Sequence, residues 1–254
     1  MQILLANAKI MKETASVQPW TQPKFQAVSN KLAMEMAELD ITALSHELDC
    51  SRSLAKEAWR RYQNFFAARP LPAIITYNGQ AYKHLKAETL DGNALTFGQQ
   101  HLWINCFLYG LLRPMDAIVP YRMEHCVKLP MTAYKPINTF WKDHLTDTLI
   151  ESVKADDGVL LHLSTEEYEH LFHWQRVCRE VEVIHPLFYV RQGDGSLRMQ
   201  AVWAKACRGA MVRYVLTHAI SDPEALQAFT HEGFAYNPRL GERNFPHFVR
   251  ETTA

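Results

Sequence analysis

Three observations predict an α/β (α+β) fold, a mixed sheet surrounded by helices in a single domain over residues 1–254. Short apolar runs at residues 2–7 and 159–163 read as buried strands, the second followed by a helix start. Two apolar stretches, 181–190 and 197–203, flank Gly193-Asp194-Gly195, a strong hairpin signal. Helical spacing of apolar residues recurs elsewhere, as in Phe140, Trp141, Leu145, Leu149 and Val153. With 48% hydrophobic and 21% charged residues, the 254-residue chain has a globular composition and enough length for a large core.

Taken in order, the first strand ends at Asn7-Ala8-Lys9, and Lys9 therefore stands where α/β proteins place ligand contacts. Residues 12–23, with Pro19 and Pro23, read as a loop. Helices are expected over 29–39, over 41–48 and, behind a Ser51 cap, from 52 to about 68, before Pro70. The last two, joined at Leu48-Asp49-Cys50, outline a helix-hairpin-helix-like element near residues 41–66. Arg52 and Lys56 on its second helix are candidate phosphate contacts, but the glycines that usually permit close approach are missing. Residues 71–76 read as a strand running into a turn at Asn78-Gly79.

Residues 102–112 are apolar on more than one face and read as a buried central helix, ended by Pro114. Arg113, Asp116, Tyr121, Arg122 and Glu124 emerge directly from that apolar setting. Charges crowded into a buried region cost free energy unless they pair or meet a ligand, so a site is expected here. Ser164 or Thr165 is expected to cap a helix, with Glu167 completing a capping box. Further on, Lys205, Arg208 and Gly209 share a helical face, with Arg213 a turn beyond and no acidic residue between Arg198 and Asp222. Gly209 reads as a point where a ligand can come close.

Composition excludes several classes. Lys plus Arg equals Asp plus Glu at 27 each, so nucleic-acid binding must come from a local concentration of charge. Five cysteines without a C-x-x-C pair argue against a disulfide framework and suit a reducing cytosol. Twelve histidines include no H-E-x-x-H, and no H-x-H with a nearby acid, so no metal and no cofactor is expected. The absence of a long apolar run predicts no membrane association and a cytoplasmic location.

The order Y-G-L-L-R-P-x-D-x-x-x-P-Y-R-M-E over residues 109–124 resembles the core signature of the YaaA peroxide-stress proteins. The likeness extends over nearly the whole chain. Lys9 matches the lysine of the family's Ser-Pro-Ala-Lys stretch, with Ala6 and Asn7 replacing the serine and proline. Gly79 and Tyr82 are kept, but Gln80 stands where an acid is usual, and glutamine cannot exchange a proton at neutral pH. The family has a similar Ala-Ser-x-Glu-Tyr after the strand at residues 159–163, and the resemblance implies that Ser164, Glu167 and Tyr168 are cleft residues. Residues 205–211, Lys-Ala-Cys-Arg-Gly-Ala-Met, resemble the family's Lys-Lys-Ala-Arg-Gly-x-Met, and Glu232-Gly233-Phe234 resembles the closing Glu-Gly-Tyr. The resemblance implies a cytoplasmic protein that binds DNA and limits oxidative damage by keeping intracellular iron low.

Lys9, Arg113, Arg122, Lys205, Arg208 and Arg213 are expected to converge on one cationic cleft, with Tyr82, Tyr121 and Tyr168 available to stack on bases. Two function classes follow. One is double-stranded DNA binding without sequence readout, through the cleft or the hairpin. The other is an enzyme acting on a nucleotide or another small anion, with Glu124 or Glu167 as acid–base groups. A purely internal ion-pair network from Arg113 to Glu124 is the third reading, and the oligomeric state is left open.

Overall fold

The apolar run behind Met1 forms β1 (Gln2–Ala6), and burial on both faces puts it in the middle of a parallel ladder. This is seen in a computed structural model, which describes residues 1–251. Three helices follow, α1 (Gln26–Glu38), α2 (Ile41–Glu47) and α3 (Arg52–Gln63). Asp40 caps α2 by accepting from the Thr42 and Ala43 amides, and Ser51 caps α3 by accepting from Leu54. Asp49, in the link, takes a left-handed φ of 42°. The expected helical hairpin is therefore present.

Residues 71–76 split where a single strand was expected. β2 (Leu71–Pro72) ends as soon as Pro72 can start a helix, and α4 (Ala73–Thr76) continues directly. Next come α5 (Gln80–Leu85) and α6 (Gly92–His101), the latter capped by Asp91. The expected central helix over 102–112 is corrected to two strands, β3 (Leu102–Cys106) and β4 (Gly110–Leu112). A fully apolar run does not separate a buried helix from a buried strand by its period. Here β3 pairs in parallel with β1, and Gly110, at φ +69°, lets β4 fold back against β3.

β5 (Ala117–Ile118) pairs with β2, and α7 (Ile137–Ala155) leads to β6 (Val159–Leu163) on the other side of β1. After α8 (Glu166–Glu169) and α9 (Trp174–Glu180), β7 (Glu182–Ile184) completes a sheet ordered β4-β3-β1-β6-β7. The predicted long hairpin is corrected as well. Pro186 separates β7 from β8 (Leu187–Arg191), which belongs to the second sheet. Across Gly193–Gly195, β8 pairs with the short β9 (Leu197–Arg198). The rest of the predicted second strand opens α10 (Ala201–His218). β10 (Thr230–His231), β11 (Phe234–Glu242) and β12 (Phe245–Glu251) finish the second sheet, ordered β10-β11-β12-β8-β9. One continuous cluster of buried side chains runs through both sheets.

Two features fix this arrangement. The Met1 amine pairs with Asp156 at 3.1 Å and Asp157 at 2.7 Å, and Gln2 donates to Asp156 at 2.8 Å. Burial raises the Asp156 carboxyl, but the hydrogen bonds from Gln2 and the Met1 amine outweigh it and hold it below its ordinary value. Second, a β-carbon added to Gly209 would lie 1.8 Å from the Ala81 carbonyl oxygen, so this glycine lets α10 lie directly against α5. Its role is helix packing, which corrects the expected ligand contact. Among the described residues, no helix is long and apolar enough to cross a membrane.

Gly209→Ala is expected to lower stability by about 3 kcal/mol or more, because backbone must move to admit one methyl group. A urea denaturation midpoint close to that of the native chain would contradict this. For Asp156, the folded value lies below the unfolded one of about 3.9, so its stabilisation is present above about pH 4 and is lost as pH falls through the folded value. The stability gap between the native chain and Asp156→Asn should therefore close on acidification, as measured by denaturation at a series of pH values.

Candidate anion-binding cleft

The cleft opens at the carboxyl ends of the parallel strands, where α/β sheets place ligands. β1 delivers Asn7, Ala8 and Lys9, β6 delivers Thr165, Glu167 and Tyr168, and the start of α5 contributes Gln80 and Tyr82. Lys205 and Arg208 of α10 close the fourth side around a volume of about 340 Å³. Gly79 sets the width of one wall, since a β-carbon there would come 2.7 Å from that of Ala8.

Beneath the cleft lies a polar web. Asn105 and Ser164 exchange hydrogen bonds at 3.1 and 3.2 Å, Asn7 donates to the Tyr121 hydroxyl at 3.0 Å, and Tyr168 donates to Asn7. Tyr77 and Tyr121 share a hydrogen bond of 2.9 Å, and Tyr82 donates to the Ala6 carbonyl. Burial raises all four tyrosine hydroxyls well above their ordinary value, so they act as neutral hydrogen-bonding groups. Tyr121 and the two lining residues Tyr82 and Tyr168 are 3–6% exposed, and Tyr168 already stacks on Phe107. They form the floor and walls and present no free face to a base, which corrects the expected stacking role. The expected capping box does not form either. Ser164 is taken by Asn105, and Glu167 instead lies 3.4 Å from His125 Nδ1 at the mouth.

The predicted cations divide. Lys9, Lys205 and Arg208 meet at the cleft. Arg122 stands beside it, with Nη2 2.8 Å from Glu124 Oε1, while Lys9 Nζ approaches Glu124 Oε2 at 2.6 Å. Glu124 is buried and flanked by two cations, one at each carboxylate oxygen, so it clamps Lys9 and Arg122 together. Arg113 does not reach the cleft. It lies over the Trp103 ring at 3.4 Å and donates to Gln2, the Leu102 carbonyl and Ser152, at the opposite end of β1, about 13 Å away. Burial pushes its guanidinium down to about 10. Arg213 is also excluded, because it donates to the Leu85 and Lys86 carbonyls at the end of α5.

Arg208 is different. It is largely buried, its Nε has no hydrogen-bond partner, and among the described residues no carboxylate pairs with it. Burial pushes its guanidinium below the ordinary arginine range. Gln80, on the facing wall, is neutral and bonds to His84, so the family's usual acid is not available to balance the charge. The cleft wall thus carries a positive charge with no counterion among the described residues.

Arg52 and Lys56 lie outside the cleft, exposed on α3. Arg60 extends them into a stripe at i, i+4 and i+8, a spacing already visible in the sequence. The hairpin and the cleft are neighbours, for the Cys50 thiol in the hairpin link lies beside Arg122 and Glu124. All five cysteines are free thiols.

A sequence profile described as "Peroxide stress protein YaaA" matches residues 1–240, which contain every lining residue of the cleft. The chain belongs to the YaaA peroxide-stress protein family. It is similar to a UPF0246 protein of Parabacteroides distasonis, 40% identical over 255 residues, with 99% of this chain and 100% of the relative covered. A UPF0246 protein of Porphyromonas gingivalis is 39% identical, again over 99% and 100%. One of Bacteroides thetaiotaomicron is 35% identical over 95% of each chain. The family signature, residues 109–124, thus contributes Tyr121, Arg122 and Glu124 to the neighbourhood of the cleft and Arg113 to the opposite end of the sheet.

The two arginines should respond oppositely to substitution. Arg113→Ala leaves several buried acceptors without a donor and should cost about 2–4 kcal/mol. Arg208→Met removes an unpaired charge and keeps an apolar stem, so stability should rise by about 1 kcal/mol or more. Thermal and urea unfolding of both variants checks the signs.

Proposed function

We propose that this YaaA-family chain acts in peroxide stress by binding double-stranded DNA without sequence readout, along a cationic track from the α2–α3 hairpin to the cleft. The observation that carries this reading is Arg208, a desolvated guanidinium without a counterion that opens onto the cleft. Such a charge is stabilised when a phosphate oxygen arrives. Lys205 adds a second free cation, and the exposed stripe Arg52, Lys56 and Arg60 supplies backbone contacts beyond the Arg122–Glu124–Lys9 clamp. The zero formal charge of the whole chain restricts binding to this track. Protection from iron-dependent damage is then a consequence of DNA occupancy.

A second reading, an enzyme for a nucleotide or other small anion, is favoured by one observation. The cleft volume of about 340 Å³ lies within the size range of small-molecule sites. Glu167, beside His125 at the mouth, would then be its acid–base group.

A salt titration of duplex-DNA binding separates the two. With four to five phosphate contacts, log K should fall against log salt with a slope of about −4. Lys205→Ala/Arg208→Ala and Arg52→Ala/Lys56→Ala should each reduce that slope by about 2. No binding of the native chain at low salt, together with saturable binding of a nucleoside monophosphate lost in Arg208→Met, would replace the DNA reading with the enzyme reading.

A further inference from the structure

Two histidines far apart in sequence meet at the seam between the sheets. His162 lies on β6 and His185 in the link from β7 to β8, with ring centroids 4.4 Å apart. His162 is completely buried, yet neither of its ring nitrogens has a hydrogen-bond partner, and His185 Nε2 is also unpartnered. Buried imidazole nitrogens without partners are costly, and three together call for an explanation. Glu169, ending α8, brings Oε1 to 3.5 Å from His162 Nε2. The donor atoms of His162, His185 and Glu169 all lie within 4.8 Å of one another.

We propose that His162, His185 and Glu169 form a binding site for a divalent transition ion of the zinc type, which would tie the first sheet to the second. Two imidazoles and one carboxylate are a donor set such ions take, with a coordination position left over. Donor atoms each about 2.1 Å from a tetrahedral ion stand about 3.4 Å apart. The His162–Glu169 pair already has this spacing, and no other pair has to close by more than roughly 1.4 Å. A neighbouring cavity of about 470 Å³, lined by Trp174, Cys178, His185 and Phe245, gives access from solvent.

The surroundings are consistent with this donor set. Burial, with the neighbouring His185 and Arg208, lowers His162, and burial with Arg208 lowers His185 to about 4, so both rings are neutral and ready to ligate. The Arg208 charge opposes an incoming cation, and Glu169 offsets it. A second group, His84, His231 and Glu232, differs in that its imidazoles already share a hydrogen bond of 3.0 Å and Gln80 occupies His84 Nε2. It needs no ion and serves as an internal control.

The test is calorimetric titration of the full chain, stripped with a chelator, with Zn²⁺ and in parallel with Co²⁺ followed by its visible bands. About one Zn²⁺ per chain should bind, and a single Co²⁺ should give ligand-field bands. His185→Gln and Glu169→Gln, both at partly exposed positions and checked for folding by circular dichroism, should weaken Zn²⁺ by more than the 10–100-fold that loss of an outer partner costs. His84→Gln should bind as the native chain does. Absence of saturable binding by the native chain would overturn the site, as would binding lost in folded His84→Gln but kept in Glu169→Gln.

Discussion

The molecule depends on a strand that has no solvent-exposed edge or face. β1 is hydrogen-bonded in parallel to β3 on one side and to β6 on the other, and Ile3, Leu4 and Leu5 are sealed on both faces. Parallel pairing brings the carboxyl ends of three strands to one level, so Asn7, Asn105 and Ser164 arrive together although they lie far apart in sequence. Their side chains bond to one another and to buried tyrosines, leaving the next residues of each loop to face outward. The cleft is what this alignment produces, and helices α5 and α10 wall it only because Gly209 lets their backbones touch.

This ordering separates what the family signature encodes. Residues 109–124 read as one dense cluster of charge, but an antiparallel return through β4 carries the chain across the sheet. Arg113 is left at the amino end of β1, stacked on Trp103, while Tyr121, Arg122 and Glu124 reach the carboxyl end. One signature therefore supplies two structures, a buried anchor and a clamp beside the cleft. The same distinction holds on α10, where Arg208 opens onto the cleft and Arg213 binds the end of α5.

Much of this was legible in the sequence. The first strand, the helical hairpin with its Ser51 cap, β6 and the cationic helix all follow from local patterns, and Lys9, Lys205 and Arg208 converge as expected. What failed was local ambiguity resolved by distant partners. Residues 102–112 are apolar throughout, and only pairing with β1 makes them strands. Gly209 looks equally free for a ligand or a helix until α5 is in place. The meeting of His162, Glu169 and His185 left no spacing signal, because it depends on how one sheet hands the chain to the other.

Arg208 occupies a position between two environments. On one side it lines the cleft, and on the other its charge is felt by His162 and His185. Whatever neutralises the guanidinium from the cleft removes a repulsion behind it, so an anion in front and a cation behind would favour each other. Thermodynamic linkage makes such a preference equal in both directions. A single side chain without a counterion among the described residues would thus couple an anion in the proposed cleft to a cation in the proposed histidine site.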